Sequence, residues 1–267
     1  MHTVERGAGT PLVMVHGFGV DHRILLSLDP VLDAAGGWRR IYLDLPGTAG
    51  TPVGEVAGTR DVVDAVEREI ERRLGDEPFA ILGNSFGGMV ARQVAHDSRA
   101  RVLGLATLAG VFVAANERRT LPPRTVLRED PEAVRTAGDA ADDYVEMAVE
   151  QHVEGVRAFL AHVHPGLRSV DQAALERIAQ RYSLDVEPED ASPEPFTAPA
   201  LFVTGRQDHV VGWQDALPRL AHYPRATFAV LDAAGHNLHL ERPAPAAALV
   251  VDWLERVRAA HAGSGAA

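Results

Sequence analysis

Gly83-Asn84-Ser85-Phe86-Gly87 places a serine among small residues, directly after the apolar run 79–82 and before the helical pattern 88–96. Glycines at those positions permit a tight strand-to-helix turn that exposes the serine hydroxyl and points the Phe86 N–H at the reacting centre. Ser85 could instead cap the following helix without any catalysis, so the catalytic reading depends on a base. A serine hydroxyl is a poor nucleophile until a neighbour accepts its proton. Gly235-His236, a short turn after the apolar run Ala226–Leu231, supplies an imidazole, and Asp208, just past the run 200–204, supplies a carboxylate for its far nitrogen. All three follow strand candidates, which brings them to one edge of a sheet. The chemistry is acyl transfer: Ser85 attacks a carbonyl, His236 takes the proton, and Asp208 fixes the imidazole tautomer.

Composition removes the competing chemistries. The 267 residues include no cysteine, which excludes thiolate nucleophiles, disulfides and Cys-ligated metal. They include no lysine, which excludes Schiff bases, Ser–Lys pairs and the P-loop lysine. A formal net charge of −11 argues against nucleic acid or an anionic membrane as partner. No run approaches the ~18 apolar residues of a membrane span. The start, Met1-His2-Thr3-Val4-Glu5-Arg6, lacks the basic and apolar regions of a signal peptide, so a cytoplasmic protein is expected. Neither His162-Val163-His164 nor the His236/His239 pair continues into a metal-ligand run, and no metal or cofactor is expected. Asp21-His22 and Asp208-His209 read as incidental neighbours, and the arginine-rich stretch 67–73 as a solvated face with ion pairs.

The elements that must position these groups follow from the apolar pattern. Runs at 11–15, 40–45, 79–82, 102–108, 200–204 and 226–231 predict strands of a parallel sheet, with helices at 61–74, 88–96 and 246–258. Val62, Val66, Ile70 and Leu74 fall on one helical face. Between 116 and 195 the chain is acidic and poor in strand signals, with helices expected over 142–162 and 171–182 and a proline-rich acidic linker over 186–199. The closing Gly-Ser-Ala tail is expected to fray. The result is an α/β core of residues 1–111 and 197–267, split by a helical insertion at 112–196.

The chain resembles the α/β-hydrolase superfamily over nearly its whole length. The likeness rests on His16-Gly17-Phe18-Gly19, Asp44-Leu45-Pro46-Gly47, Gly83-Asn84-Ser85-Phe86-Gly87-Gly88, Gly205-Arg206-Gln207-Asp208, and Gly235-His236 with Glu241-Arg242-Pro243, in that order. It implies the α/β-hydrolase fold, a mostly parallel central sheet flanked by helices with a helical cap inserted. It also implies an oxyanion hole from the Phe18 and Phe86 N–H groups, and a structural role for His16. The insertion would cap the site, with Tyr144, His152, Phe159, His162, His164 and Trp213 as candidates to line it and Gly17 at its floor. Hydrolysis of a small ester or lactone, a carbonyl substrate, is the expected activity; the oligomeric state is open. The Gly-Asn-Ser lead-in is shared with carbon–carbon hydrolases of the meta-cleavage-product type, but Phe18-Gly19-Val20 and Asn237 depart from their pattern. Epoxide hydrolases and haloalkane dehalogenases carry aspartate where Ser85 stands, and prolyl iminopeptidases have tryptophan at the place of Phe86. A ligand receptor on a hydrolase scaffold is the alternative from another class; such scaffolds often lose a triad member, and here all three remain.

Overall fold

The computed structural model of the chain describes residues 1–264. Seven strands form one sheet in the order β1-β3-β2-β4-β5-β6-β7. They are β1 (Thr3–Arg6), β2 (Thr10–Val15), β3 (Trp38–Leu43), β4 (Phe79–Asn84), β5 (Val102–Leu108), β6 (Ala200–Gly205) and β7 (Ala226–Leu231). Every neighbouring pair is parallel except β1 on β3. Strands β4 and β6 are buried at every position, and β2 at all but its first, as expected when helices cover both faces. This is the α/β-hydrolase fold expected from the motifs.

Core helices are α1 (Arg23–Leu26), α2 (Asp29–Ala35), α3 (Thr59–Leu74) and α4 (Phe86–Asp97). In α3 the residues Val62, Val66, Ile70 and Leu74 are buried together, the face that the periodicity marked. Between β5 and β6 lie α5 (Pro131–Ala137), α6 (Ala141–Met147), α7 (Val153–His162), α8 (His164–Leu167), α9 (Gln172–Ala179) and α10 (Pro188–Ala191). The chain closes with α11 (Leu238–Glu241) and α12 (Pro243–Ser264), and Trp253 of α12 donates to Pro199 O at 3.0 Å, locking the helix to the start of β6. Helix α12 takes in the first two residues of the expected frayed tail; residues 265–267 lie outside the described part.

Several local expectations are corrected. Residues 142–162 are not one helix: Ala148 turns extended, His152 caps α7 through its ring nitrogen to Gly155 N, and the intervening Val149 N–H is taken by Glu241 Oε1 at 2.8 Å. The helix expected over 171–182 starts on its Asp171 cap and stops at Ala179. The acidic linker is fastened, because Arg92 of α4, fully buried, pairs with Glu189 at 2.5 Å and with Glu187 at 3.0 Å. Tyr223 donates a further hydrogen bond to Glu189. Burial works against both charges, but the Arg92 pairing outweighs it and holds Glu189 at about 2. In the stretch 67–73, Glu69 is buried and gathers Arg72 and Arg73. Among the described residues no helix is long and apolar enough to cross a membrane.

Candidate active site

The turn from β4 into α4 dictates its own sequence. A Cβ on Gly83 would stand 2.1 Å from Gly87 O, and one on Gly87 would stand 2.2 Å from Val15 O. Both positions therefore exclude every side chain. Ser85 between them sits at φ 52°, ψ −118°, a region that costs a non-glycine residue about 1–3 kcal/mol. Hydrogen bonds from Ser85 N to Leu108 O (3.0 Å), from Gly88 N to Ser85 O (2.9 Å) and from Asn84 Nδ2 to Leu108 O (3.0 Å) hold the strain in place.

Ser85 Oγ lies 2.9 Å from His236 Nε2, and His236 Nδ1 lies 3.0 Å from Asp208 Oδ2. Asp208 is fully buried, and its other oxygen accepts the N–H groups of Val210 (2.9 Å) and Val211 (3.0 Å). With Asp208 Oδ2 as the acceptor at Nδ1, His236 turns Nε2 toward the serine hydroxyl. The three residues come from the ends of β4, β6 and β7, as their positions after strand candidates implied.

The loop after β2 lies against the serine, where a Cβ on Gly17 would stand 3.1 Å from Ser85 Cβ. His16 is fully buried, which lowers its pKa and keeps it neutral. Its Nε2 accepts Leu45 N–H at 3.0 Å, so its Nδ1 donates to Gly17 O at 2.7 Å. That carbonyl belongs to the Gly17–Phe18 peptide. In a trans peptide the N–H points opposite to the carbonyl, so His16 fixes the direction of the Phe18 N–H. The Phe86 N–H, first of α4, has no acceptor within its helix. His16 thus has the structural role expected of it, by setting a neighbour's backbone.

A cavity of about 390 Å³ opens over Ser85 and His236. Of the candidate contacts, Gly17 and Phe159 line it, together with Phe18; Tyr144, His162 and Trp213 do not. Tyr144 packs edge-on to Phe159 behind the wall, its hydroxyl engaged by the His152 backbone. His162 Nδ1 is spent on Arg23 O at 3.0 Å, and Trp213 lies under the Arg206 guanidinium, 4.6 Å from the ring centroid. His152 and His164 are also outside the lining. Ile24, Val163, Leu167, Val210 and Val211 supply apolar wall that residue type did not single out. Tyr182 packs on Phe18 and Phe86 with centroids 5.5 and 5.2 Å away. Burial pushes its hydroxyl up to about 12. Arg119 clamps Val113 O, Ala114 O and Val210 O, and with Phe18 and Tyr182 it also borders an outer groove of about 650 Å³.

Glu241 ties the insertion to the histidine loop. Its carboxylate accepts Val149 N–H at 2.8 Å and Gly235 N–H at 2.7 Å, one residue before His236. Burial, reinforced by the Asp208 charge, raises its pKa to about 7 despite the two N–H donors and His236. Asp21, read as an incidental neighbour of His22, is buried, binds Arg23 at 2.5 Å and accepts Ser169 Oγ at 3.1 Å, joining α1 to the end of α8.

Several known proteins are similar to this chain. A relative from Pseudomonas putida, the dihydrolipoyllysine-residue acetyltransferase component of an acetoin cleaving system, is 30% identical over 249 residues. The alignment covers 87% of this chain and 60% of that protein, so the chain spans only about three-fifths of that relative's length. The 2-succinyl-6-hydroxy-2,4-cyclohexadiene-1-carboxylate synthase of Salmonella paratyphi A is 28% identical over 253 residues, covering 93% and 94% of the two chains. An alpha/beta superfamily hydrolase from Oenococcus oeni PSU-1 superimposes with a TM-score of 0.88 at 23% identity over 96% of each chain. Residues 12–249 match the model of the alpha/beta hydrolase family. That span runs from β2 into α12 and contains the serine, the aspartate and the histidine in their order, so the chain belongs to the α/β-hydrolase family.

Proposed function

We propose that the protein is a serine hydrolase that cleaves a carboxylic ester or lactone of a small organic molecule through an acyl-enzyme. The observation that carries this reading is the unbroken hydrogen-bond chain from Ser85 Oγ through His236 to Asp208, opening into a largely apolar cavity. His236 Nε2 takes the Ser85 proton as Oγ bonds to the substrate carbonyl carbon. The Phe18 and Phe86 N–H groups receive the resulting oxyanion, each such donor typically contributing about 10²–10³ in rate. Collapse of the tetrahedral species breaks the carbonyl–oxygen bond, and the proton on His236 leaves with the alcohol. Water then attacks the acyl-enzyme by the same route in reverse, returning Ser85 its hydrogen. The wall is largely apolar, with Arg119, Asp143 and Glu146 as its charged members.

Labelling with a fluorophosphonate, read by intact mass, tests the serine. A single adduct is expected on the native protein and none on Ser85→Ala. A folded native protein that takes no adduct would overturn the reading. A panel of esters, lactones and ring-cleavage dienoates then assigns the bond cleaved, with ester or lactone turnover expected and dienoate turnover alone refuting it.

A further inference from the structure

At the edge of the sheet farthest from β7, two imidazoles converge on one buried carboxylate. Asp44 follows β3 with its side chain fully buried. His22, at the start of α1, brings Nδ1 to 2.9 Å from both Asp44 oxygens, and its backbone N–H donates to Oδ1 at 2.9 Å. His2, just before β1, brings its own Nδ1 to 2.5 Å from Oδ2. These three donor atoms all lie within 4.8 Å of one another. Three separate segments of chain therefore deliver the same kind of convergence that a metal site needs.

The buried Asp44 carboxylate accepts hydrogen bonds from His22 and His2. Asp21 is also buried and close enough to repel it. The adjacent guanidinium, Arg23, spends its hydrogen bonds on Asp21. Among the described residues Asp44 is paired with imidazoles alone and has no guanidinium of its own, so a bound cation would be its direct counter-charge.

We propose that His2, His22 and Asp44 form a binding site for a first-row divalent transition cation of the zinc, cobalt or nickel kind. Two imidazoles and one carboxylate suit such ions, whereas calcium and magnesium prefer oxygen-only shells. Metal–ligand bonds of about 2.0–2.1 Å place ligand atoms of a tetrahedral site roughly 3.3 Å apart. The His22 and Asp44 atoms need only small adjustments to reach that spacing. His2, with half of its side chain exposed, has room to swing outward and leaves the remaining coordination positions to solvent. The backbone N–H of His22 on Oδ1 orients the carboxylate as a supporting contact. His22 ends the loop that starts at Gly17, so the cation would fasten the segment carrying Phe18 to the β1–β3 edge. This site is separate from Ser85, and its existence does not depend on the hydrolase reading.

The test uses the full chain stripped with a chelator, exchanged into chelator-free buffer and titrated with Co²⁺ by visible absorption and with Zn²⁺ by calorimetry. His2→Gln and His22→Gln are compared with His222→Gln, which alters a different histidine pair (His96 Nε2 to His222 Nε2, 3.0 Å). One equivalent of Co²⁺ is expected, with the intense visible band of a four-coordinate ion. Affinity should fall at least about tenfold in both His2→Gln and His22→Gln and stay unchanged in His222→Gln. Absence of stoichiometric binding would overturn the proposal, as would binding that either His2→Gln or His22→Gln leaves intact. Should His22→Gln lose its fold by circular dichroism, the exposed His2 decides the matter alone.

Discussion

Replacing Glu241 by glutamine should make the protein's stability less dependent on pH, and the sign follows from burial. In the folded protein the carboxyl is raised from 4.5 to about 7. Between those values the folded state binds more protons than the unfolded chain, so stability falls as pH rises. The favourable contribution is complete below about 4.5 and gone once pH passes about 7. At about 1.4 kcal/mol per pKa unit the whole effect is ~3 kcal/mol, most of it lost between pH 5 and pH 8. Glutamine has no proton to lose. Its carbonyl still accepts one of the Val149 and Gly235 N–H groups while its amide opposes the other, much as the protonated acid does. At pH 5 the two proteins should therefore unfold at similar urea concentrations; at pH 8 the variant should be the more stable by about 2–3 kcal/mol. Glu67, also raised to about 7, titrates in both proteins and cancels in the comparison. Parallel pH profiles for native protein and variant would refute the account, showing that the carboxyl stays ionised throughout on its two N–H donors.

Asp208→Asn should fold normally and lower kcat by up to ~10⁴, because an amide facing His236 Nδ1 permits the wrong tautomer; near-native turnover on the ester panel would remove Asp208 from the mechanism. Glu189→Ala leaves the buried Arg92 with only the less buried Glu187 as carboxylate partner and should cost about 3–5 kcal/mol in urea denaturation. Since Glu189 is held at about 2, its contribution is present above its ordinary 4.5 and lost as pH falls toward 2, so native protein and variant should converge in acid. A constant difference down to that pH would contradict the assigned pairing.

The geometry of the candidate site was legible because its demands are local. Gly83 and Gly87 are required by backbone contacts, and Ser85, Asp208 and His236 each sit past a strand that its own apolar run announces. Cavity walls are different: they are made by docking distant segments, so residue type misled at Tyr144, His162 and Trp213. Arg119 and Tyr182 carried no pattern that marked them, and their placement depends on contacts with Val210 and with Phe18. The break near residue 148 has no proline to signal it, and arises where Glu241, far along the chain, captures the Val149 N–H. Strand β1 was missed because its four residues, two of them exposed, have no apolar run and are recruited only by pairing with β3.

The strand order has a consequence for synthesis. Strands β1 to β5 complete one contiguous block of the sheet, and the partner of β5 on its open side is β6. Residues 109–199 must emerge from the ribosome between them. At typical elongation rates of ~5–20 residues per second, the outer edge of β5 waits roughly 5–20 s for its neighbour. Its sequence, Val-Leu-Gly-Leu-Ala-Thr-Leu, is apolar and bears no charge to deter another chain from pairing there. The nascent protein is therefore most vulnerable to aggregation while the insertion is being made, and the demand for chaperone cover should rise with the length of that insertion.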